Sequence, residues 1–264
     1  MQIKQRLTKD TKVRSQLTLK AEKDRTWVYP DAISDSFVAM AFSPGDARFL
    51  VCLTAGPPEC QIIFLDVSRM KPLGMKTLDS ANYNKVSINI KDDHMICVSG
   101  VNSLKYLRVQ ENSFNAKSEI SKLNQYQNFT DHAWFNSQIL VAANDNGEVS
   151  IIVNGEVREK IPNAFLMPGE EPKSDDSLPG VSALCAFPKG LIFGSPYGHM
   201  AIWVKTESDD ENANLFIPVR IWHLERKSSI CTINCTPSGE SIAVSFASND
   251  IATFNIAQAI PATA

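Results

Sequence analysis

Residues 130–153 read TDHAWFNSQILVAANDNGEVSIIV, and this stretch limits the possible folds more than any other. It divides into short strands separated by turns. His132–Phe135 forms an apolar-rich strand, and Asn136-Ser137-Gln138 turns the chain. Ile139–Ala143 is almost entirely apolar, as expected of a strand buried on both faces. Asp145-Asn146-Gly147 follows, and its Asn-Gly step predicts a two-residue hairpin turn with positive φ. Glu148–Val153 is the third strand, and a second turn at Asn154-Gly155 leads into Glu156–Ile161. Four short antiparallel strands within about forty residues have the outline of one propeller blade.

The pattern recurs along the chain. FVAMAFSPGDARFLVCL at 37–53 aligns without a gap to ICTINCTPSGESIAVSF at 230–246, placing Ser43-Pro44 on Thr236-Pro237 and Phe49–Leu53 on Ile242–Phe246. Weaker copies are VSINIKDDHMICVS at 86–99, turning at Lys91-Asp92-Asp93, and VSALCAFPKGLIF at 181–193, turning at Pro188-Lys189-Gly190. Third strands follow at Gln61–Asp66, Ser103–Val109, Met200–Val204 and Ile251–Ile256. A spacing of roughly forty to fifty residues is the period of WD and kelch-type propellers. The expected fold is therefore all-β: a β-propeller of about five recognisable four-stranded blades. Residues 31–260 carry the blades, roughly at 33–79, 82–122, 125–161, 181–224 and 228–258. Residues 1–30 form a basic lead-in or outer strand, with Trp27 and Tyr29 as anchors.

Closing a ring of blades removes its free sheet edges, and six to eight blades are common. Five blades leave three options: a piece of a larger protein, completion by a second copy or partner, or closure with unusual geometry. The first is the expectation, so the propeller is read as incomplete. No run of eighteen apolar residues implies a transmembrane helix, and MQIKQRLTKDTKVRSQLTLK lacks the apolar core of a signal peptide. A cytoplasmic location is expected. Cys52, Cys97, Cys185 and Cys231 sit in apolar strands, spaced for neither a disulfide framework nor a zinc site. Cys231 and Cys235 are expected to share one strand face. His94, His132, His199 and His223 are scattered, without a metal-ligand pattern.

The first 25 residues hold Lys4, Arg6, Lys9, Lys12, Arg14, Lys20, Lys23 and Arg25 against three acids, in a chain of net charge −3. Such an arm suits an acidic partner such as tubulin or a nucleic acid, or else it is a solvated outer strand and linker. The second reading is the plainer, and no aromatic interleaving supports stacking on single-stranded nucleic acid. Residues 162–180 read as a long surface loop, and ESDDENAN as an insertion in the fourth blade. No phosphate-binding glycine loop or nucleophile elbow occurs. Asp92-Asp93 and Asp209-Asp210-Glu211 read as solvated loop charges, and Asp145–Glu148 fills only part of a calcium loop. The first-strand positions Val38, Val86, Ala183 and Thr232 are apolar or small and do not build a catalytic centre. No enzyme activity, catalytic residue, metal or cofactor is expected, and the partner-binding residues are left unassigned.

The sequence resembles WD-repeat proteins, although no Trp-Asp dipeptide is present; Ile202-Trp203 and Phe64-Leu65-Asp66 stand where that dipeptide ends the third strand. More narrowly it resembles the axonemal WD-repeat family of cilia- and flagella-associated protein 57, over part of that family's first propeller. The residues that carry the resemblance are 37–50, 96–111, 132–151, and the pair 187–203 and 231–246, with His132-Ala133-Trp134 and Asn144–Gly147 the most specific. The resemblance implies a non-catalytic scaffold for protein–protein interaction in the axoneme of motile cilia or flagella, on doublet microtubules near inner dynein arms. The implied partners are proteins, with no small-molecule substrate and no membrane. The alternative is a general cytosolic WD-repeat adaptor in a multiprotein complex.

Overall fold

The computed structural model describes residues 16–20, 24–28, 36–56, 59–79, 82–110, 113–119, 127–167, 170, 178–207, 213–224 and 228–257. Their regular elements are β-strands. β1 (Gln16–Lys20) and β2 (Asp24–Val28) pair with each other as a hairpin. Four antiparallel meanders of four strands follow, each pairing its strands in chain order. They are β3 (Phe37–Phe42), β4 (Phe49–Thr54), β5 (Gln61–Asp66) and β6 (Lys71–Thr77); β7 (Tyr83–Ile88), β8 (Met95–Gly100), β9 (Ser103–Gln110) and β10 (Ser113–Glu119); β11 (Phe129–Trp134), β12 (Ile139–Asn144), β13 (Val149–Val153) and β14 (Glu156–Ile161); and β15 (Ala183–Phe187), β16 (Gly190–Gly194), β17 (His199–Lys205) and β18 (Phe216–His223). The last sheet has three strands, β19 (Ile230–Cys235), β20 (Ser241–Phe246) and β21 (Ile251–Asn255).

The chain forms two compact units. One comprises Met1–Val98 with Lys105–Lys117, and the other Ser99–Leu104 with Ser118–Ala264. The first has a core of Phe49, Val51, Leu53, Ile62 and Phe64 packed with Val86, Ile88, Ile96 and Val98. The second has two cores. One joins the β11–β14 and β15–β18 sheets through Val141, Ile151, Leu191, Phe193 and Trp203; the other joins β15–β18 to β19–β21 through Ile192, Ile202, Ile233 and Val244. Middle strands such as β4, β12 and β16 are buried on both faces, as continuous apolar runs require, and every residue of these three is buried; in β20 burial alternates instead.

Registers reveal a repeat finer than the sequence pattern. In β3, β11 and β19 the pairing skips one residue, Val38, Thr130 and Cys231 respectively. In β6, β14 and β18 it skips Leu73, Arg158 and Val219. A bulge leaves its residue unpaired and increases local twist. Pro72 and Pro218 stand beside two of the outer bulges, on the fourth strands where the missing amide is tolerated.

Several sequence expectations change. The first strand of the 130–153 stretch runs Phe129–Trp134 rather than His132–Phe135. Leu50 pairs with Phe42 and Ile242 with Cys235, so the turn after β3 is one residue longer than the turn after β19. The ungapped alignment is therefore off by one beyond the turn, and Leu50, not Phe49, corresponds to Ile242. The Asn-Gly assignment also moves. Asn146 does not have positive φ, whereas Gly147 has φ 86°. The loop is a three-residue turn, 145–147, closed by Asn144 N donating to Glu148 O at 3.1 Å. The two-residue turn with positive φ at both positions is the later one, Asn154 (53°) and Gly155 (90°), between paired Val153 and Glu156. Residues 1–15, with Lys4, Arg6, Lys9, Lys12 and Arg14, lie outside the described residues, as do Tyr29, Pro57-Pro58, most of 168–177, Asp209-Asp210-Glu211 and the C-terminal 258–264.

Candidate interaction face

Within the second unit, three hairpins repeat one loop at residues 144–148, 195–199 and 246–250. Each opens with the first residue's amide donating to the carbonyl of the last, at 3.1, 2.9 and 3.0 Å. In each, the residue before the last has positive φ: Gly147, Gly198 (79°) and Asn249 (63°). In two of them the opening side chain fixes the loop. Asn144 Oδ1 accepts from the amides of Asn146 (3.0 Å) and Glu148 (2.9 Å). Ser195 Oγ accepts from those of Tyr197 (3.2 Å) and His199 (2.9 Å). The backbone is thus held constant while the tip residue varies: Asn146, Tyr197, Ser248. Tyr197 is 61% exposed, and Val101, in the β8–β9 turn of the same unit, is 40% exposed. A fixed backbone carrying exposed side chains that differ from copy to copy is an arrangement suited to recognition.

The first of these loops is braced from behind. Asn163 Nδ2 donates to the carbonyls of Asn146 (3.3 Å) and Pro179 (3.2 Å), and its Oδ1 accepts from Phe165 N at 2.8 Å. Ala164 N donates to Gly147 O, and Trp203 Nε1 donates to Ala164 O, both at 2.9 Å. A Cβ on Gly147 would lie 2.1 Å from Asn163 Nδ2, so this position requires glycine for room as well as for φ.

Buried polar groups tie neighbouring sheets of this unit together. Val181 N donates to Asn144 O (3.0 Å) and Ile230 N to Ser195 O (3.1 Å), the same contact one repeat later. Asp131 accepts from Leu184 N at 2.8 Å, and Ser182 Oγ donates to Ile230 O at 2.6 Å. Ser99 Oγ and His132 Nδ1 share a hydrogen bond of 2.7 Å at 0% and 1% exposure. Ser99, His132 and the adjacent Asp131 have the composition of a nucleophilic triad. Their burial, and the engagement of the Asp131 carboxylate by the amides of His132 and Leu184, make them a sheet-joining network instead. The signal in the sequence was three polar residues inside apolar strands, which a search for spaced motifs passes over.

The other residues singled out from sequence are placed as follows. Asp66 ends β5 with its carboxylate buried; it accepts from Ser68 Oγ (2.5 Å) and Arg69 N (3.0 Å), and Arg48 lies at 3.5 Å. The Ser68 hydrogen bond, then the Arg69 amide and the two arginines, hold its pKa below the ordinary carboxylate value against the opposing effect of burial. Trp203 is buried in the core. Asp92 receives Arg108 Nη1 at 2.7 Å and caps the turn through His94 N, so it serves the β7–β8 turn. Asp145 receives Asn128 Nδ2 (2.9 Å) and Glu148 receives Gln127 Nε2 (2.6 Å), which braces this loop on the strand before it. Cys231 is exposed, while Cys235 packs on the core: the bulge at Cys231 breaks the alternation, so the expectation that both face one side fails. Cys52 is driven up to about 12 by burial, which makes it an inert apolar side chain. Val38 is exposed at its bulge, Val86 and Ala183 are buried, and Thr232 shares a hydrogen bond with Ser245. Beside β21, Met200, Arg220, Trp222, Leu224, Thr253 and Phe254 line most of a groove of about 430 Å³.

The search of protein-family models finds no match. The chain is similar to the mouse cilia- and flagella-associated protein 57, with 23% identity over 219 residues, covering 69% of this chain and 17% of that protein. It therefore spans about a sixth of that relative's length. Among solved structures, the Myceliophteria thermophila Cps50 (Swd1) β-propeller domain superimposes with a TM-score of 0.68 at 12% identity, over 92% of this chain and 77% of that one. The fold is a WD-type β-propeller. At that identity the likeness is one of fold alone.

Proposed function

We propose that the chain is a non-catalytic interaction module whose recognition face is the repeated loop end of the second unit. The observation that carries this reading is the constant backbone of residues 144–148, 195–199 and 246–250 beneath varying, exposed tips. Residues 31–260 supply the blades, at roughly 33–79, 82–122, 125–161, 181–224 and 228–258, and residues 1–30 add a basic lead-in or outer strand. The place of work is the axoneme of a motile cilium or flagellum, and the partners are proteins of doublet microtubules or inner dynein arms. The similarity to a cilia- and flagella-associated protein supports that placement.

The test is a tagged chain expressed in flagellated cells, followed by detergent and salt extraction of isolated axonemes. Retention in the detergent-resistant axoneme, lost on Tyr197→Ala with Val101→Asp but kept by a Lys4→Glu and Lys9→Glu control, is the expected result. Complete release by detergent, with recovery in soluble complexes, would replace the axonemal reading with that of a general adaptor. Retention unaffected by the loop substitutions would move the binding face elsewhere.

A further inference from the structure

His199 opens β17 and His223 closes β18, and the register places them directly opposite one another. Leu224 N donates to Gly198 O at 3.0 Å, so the adjoining pair is the hydrogen-bonded one and His199/His223 is a non-hydrogen-bonded pair. That is the site type at which opposed side chains come closest. The two imidazole centroids are 4.4 Å apart, with the rings at 79°. Nδ1 of His199 is buried and has no hydrogen-bond partner, and Phe165 flanks the ring at 6.2 Å. No carboxylate, amide or hydroxyl therefore saturates that nitrogen, although the backbone amides of Tyr197 and His199 beside it both donate to Ser195 Oγ.

We propose that His199 and His223 form a two-point chelating site for a divalent transition-metal ion of the nickel, copper or zinc group. Imidazole nitrogen is the donor such ions favour over calcium or magnesium, and the neutral ring is the ligating form. Among the described residues no group of three histidine, cysteine or acidic side chains could hold a metal. The remaining coordination positions go to water or to a ligand from another molecule. His223 is exposed, so an ion held on its ring faces solvent on that side.

The experiment is a calorimetric titration of untagged full-length chain with nickel chloride, paired with thermal unfolding with and without the ion. One saturable site and a raised midpoint are expected for the wild type and for His94→Ala, which removes an exposed histidine elsewhere. Both effects are lost in His223→Ala and in His199→Ala. Because His223 is exposed, its variant keeps the test decisive even where His199→Ala folds poorly. Absence of saturable binding at millimolar nickel, or binding unchanged in His223→Ala, overturns the proposal.

Discussion

Val149 and Ile251 hold the same place in two sheets of one unit. Each begins a third strand, opposite Ala143 and Ser245 respectively. Val149 is 0% exposed and Ile251 is 75% exposed. The difference does not come from the strand itself, since both residues are β-branched and follow the same loop. It comes from what packs on the sheet face: Val149 belongs to the core shared by β11–β14 and β15–β18, whereas exposed Ile251, Thr253 and Asn255 share one face of β21 and half-buried Ala252 and Phe254, packed on the core with β15–β18, share the other. The third strand of the complete sheet is buried almost throughout; that of the incomplete one alternates between exposed and half-buried. Burial here is conferred by the neighbouring sheet, and a third strand is buried throughout only where both of its faces are packed.

The loops feeding these two strands give the sharpest way to break the comparison. Position 147 is glycine and position 249 is asparagine at nearly the same backbone angle. Asparagine tolerates that region, so φ alone should make the exchange cheap. Gly147→Asn is nevertheless expected to destabilise the protein by roughly 3 kcal/mol, because its Cβ displaces Asn163 from the two carbonyls it serves. Asn249→Gly should stay within about 1 kcal/mol. Equal unfolding midpoints for the two variants would remove the distinction between the loop that Asn163 braces and the loop at 246–250.

The second test acts on the strands. Val149→Ala deletes fully buried methyl groups and should cost about 2 kcal/mol in urea unfolding. Ile251→Ala removes a larger but exposed side chain and should change stability by no more than about 0.5 kcal/mol. A comparable loss from Ile251→Ala would mean that β21 is covered in solution, and the contrast between the sheets would fall.

What the sequence made legible follows from what each strand has to bury. Ile139–Ala143 could be read directly, because a strand apolar on both faces needs no partner to be recognised. The Asn-Gly step in Asp145-Asn146-Gly147 misled in detail: the dipeptide suits a two-residue turn, but Asn144 uses its side chain to close a longer one. Bulges at Val38, Thr130 and Cys231 were invisible, since one unpaired residue shifts faces without changing composition. The same shift separated Cys231 from Cys235, while the longer turn after β3 placed the 37–53 and 230–246 copies one residue out of step. The interaction face was the least legible part. Its regularity lies in hydrogen bonds at Asn144 and Ser195, and its variation in Asn146, Tyr197 and Ser248, so no shared motif marks it.

The smallest expected effect concerns the residue that closes each loop: Glu148, His199 or Asp250. At His199 burial and then His223 disfavour the charged ring and hold its pKa below the ordinary value. The unfolded chain therefore binds this proton more readily than the folded one. Stability from this group is complete above the unfolded histidine pKa of about 6.5 and declines as pH falls from there towards the lower folded value. Glu159 works in the opposite sense, since burial raises its pKa and protonation favours the folded state. The informative quantity is thus the difference between variant and wild type. His199→Gln should shrink the drop in urea midpoint between pH 7.5 and 5.5, while leaving the midpoint at pH 7.5 nearly unchanged. A drop of the same size in both proteins would assign the pH dependence to other groups.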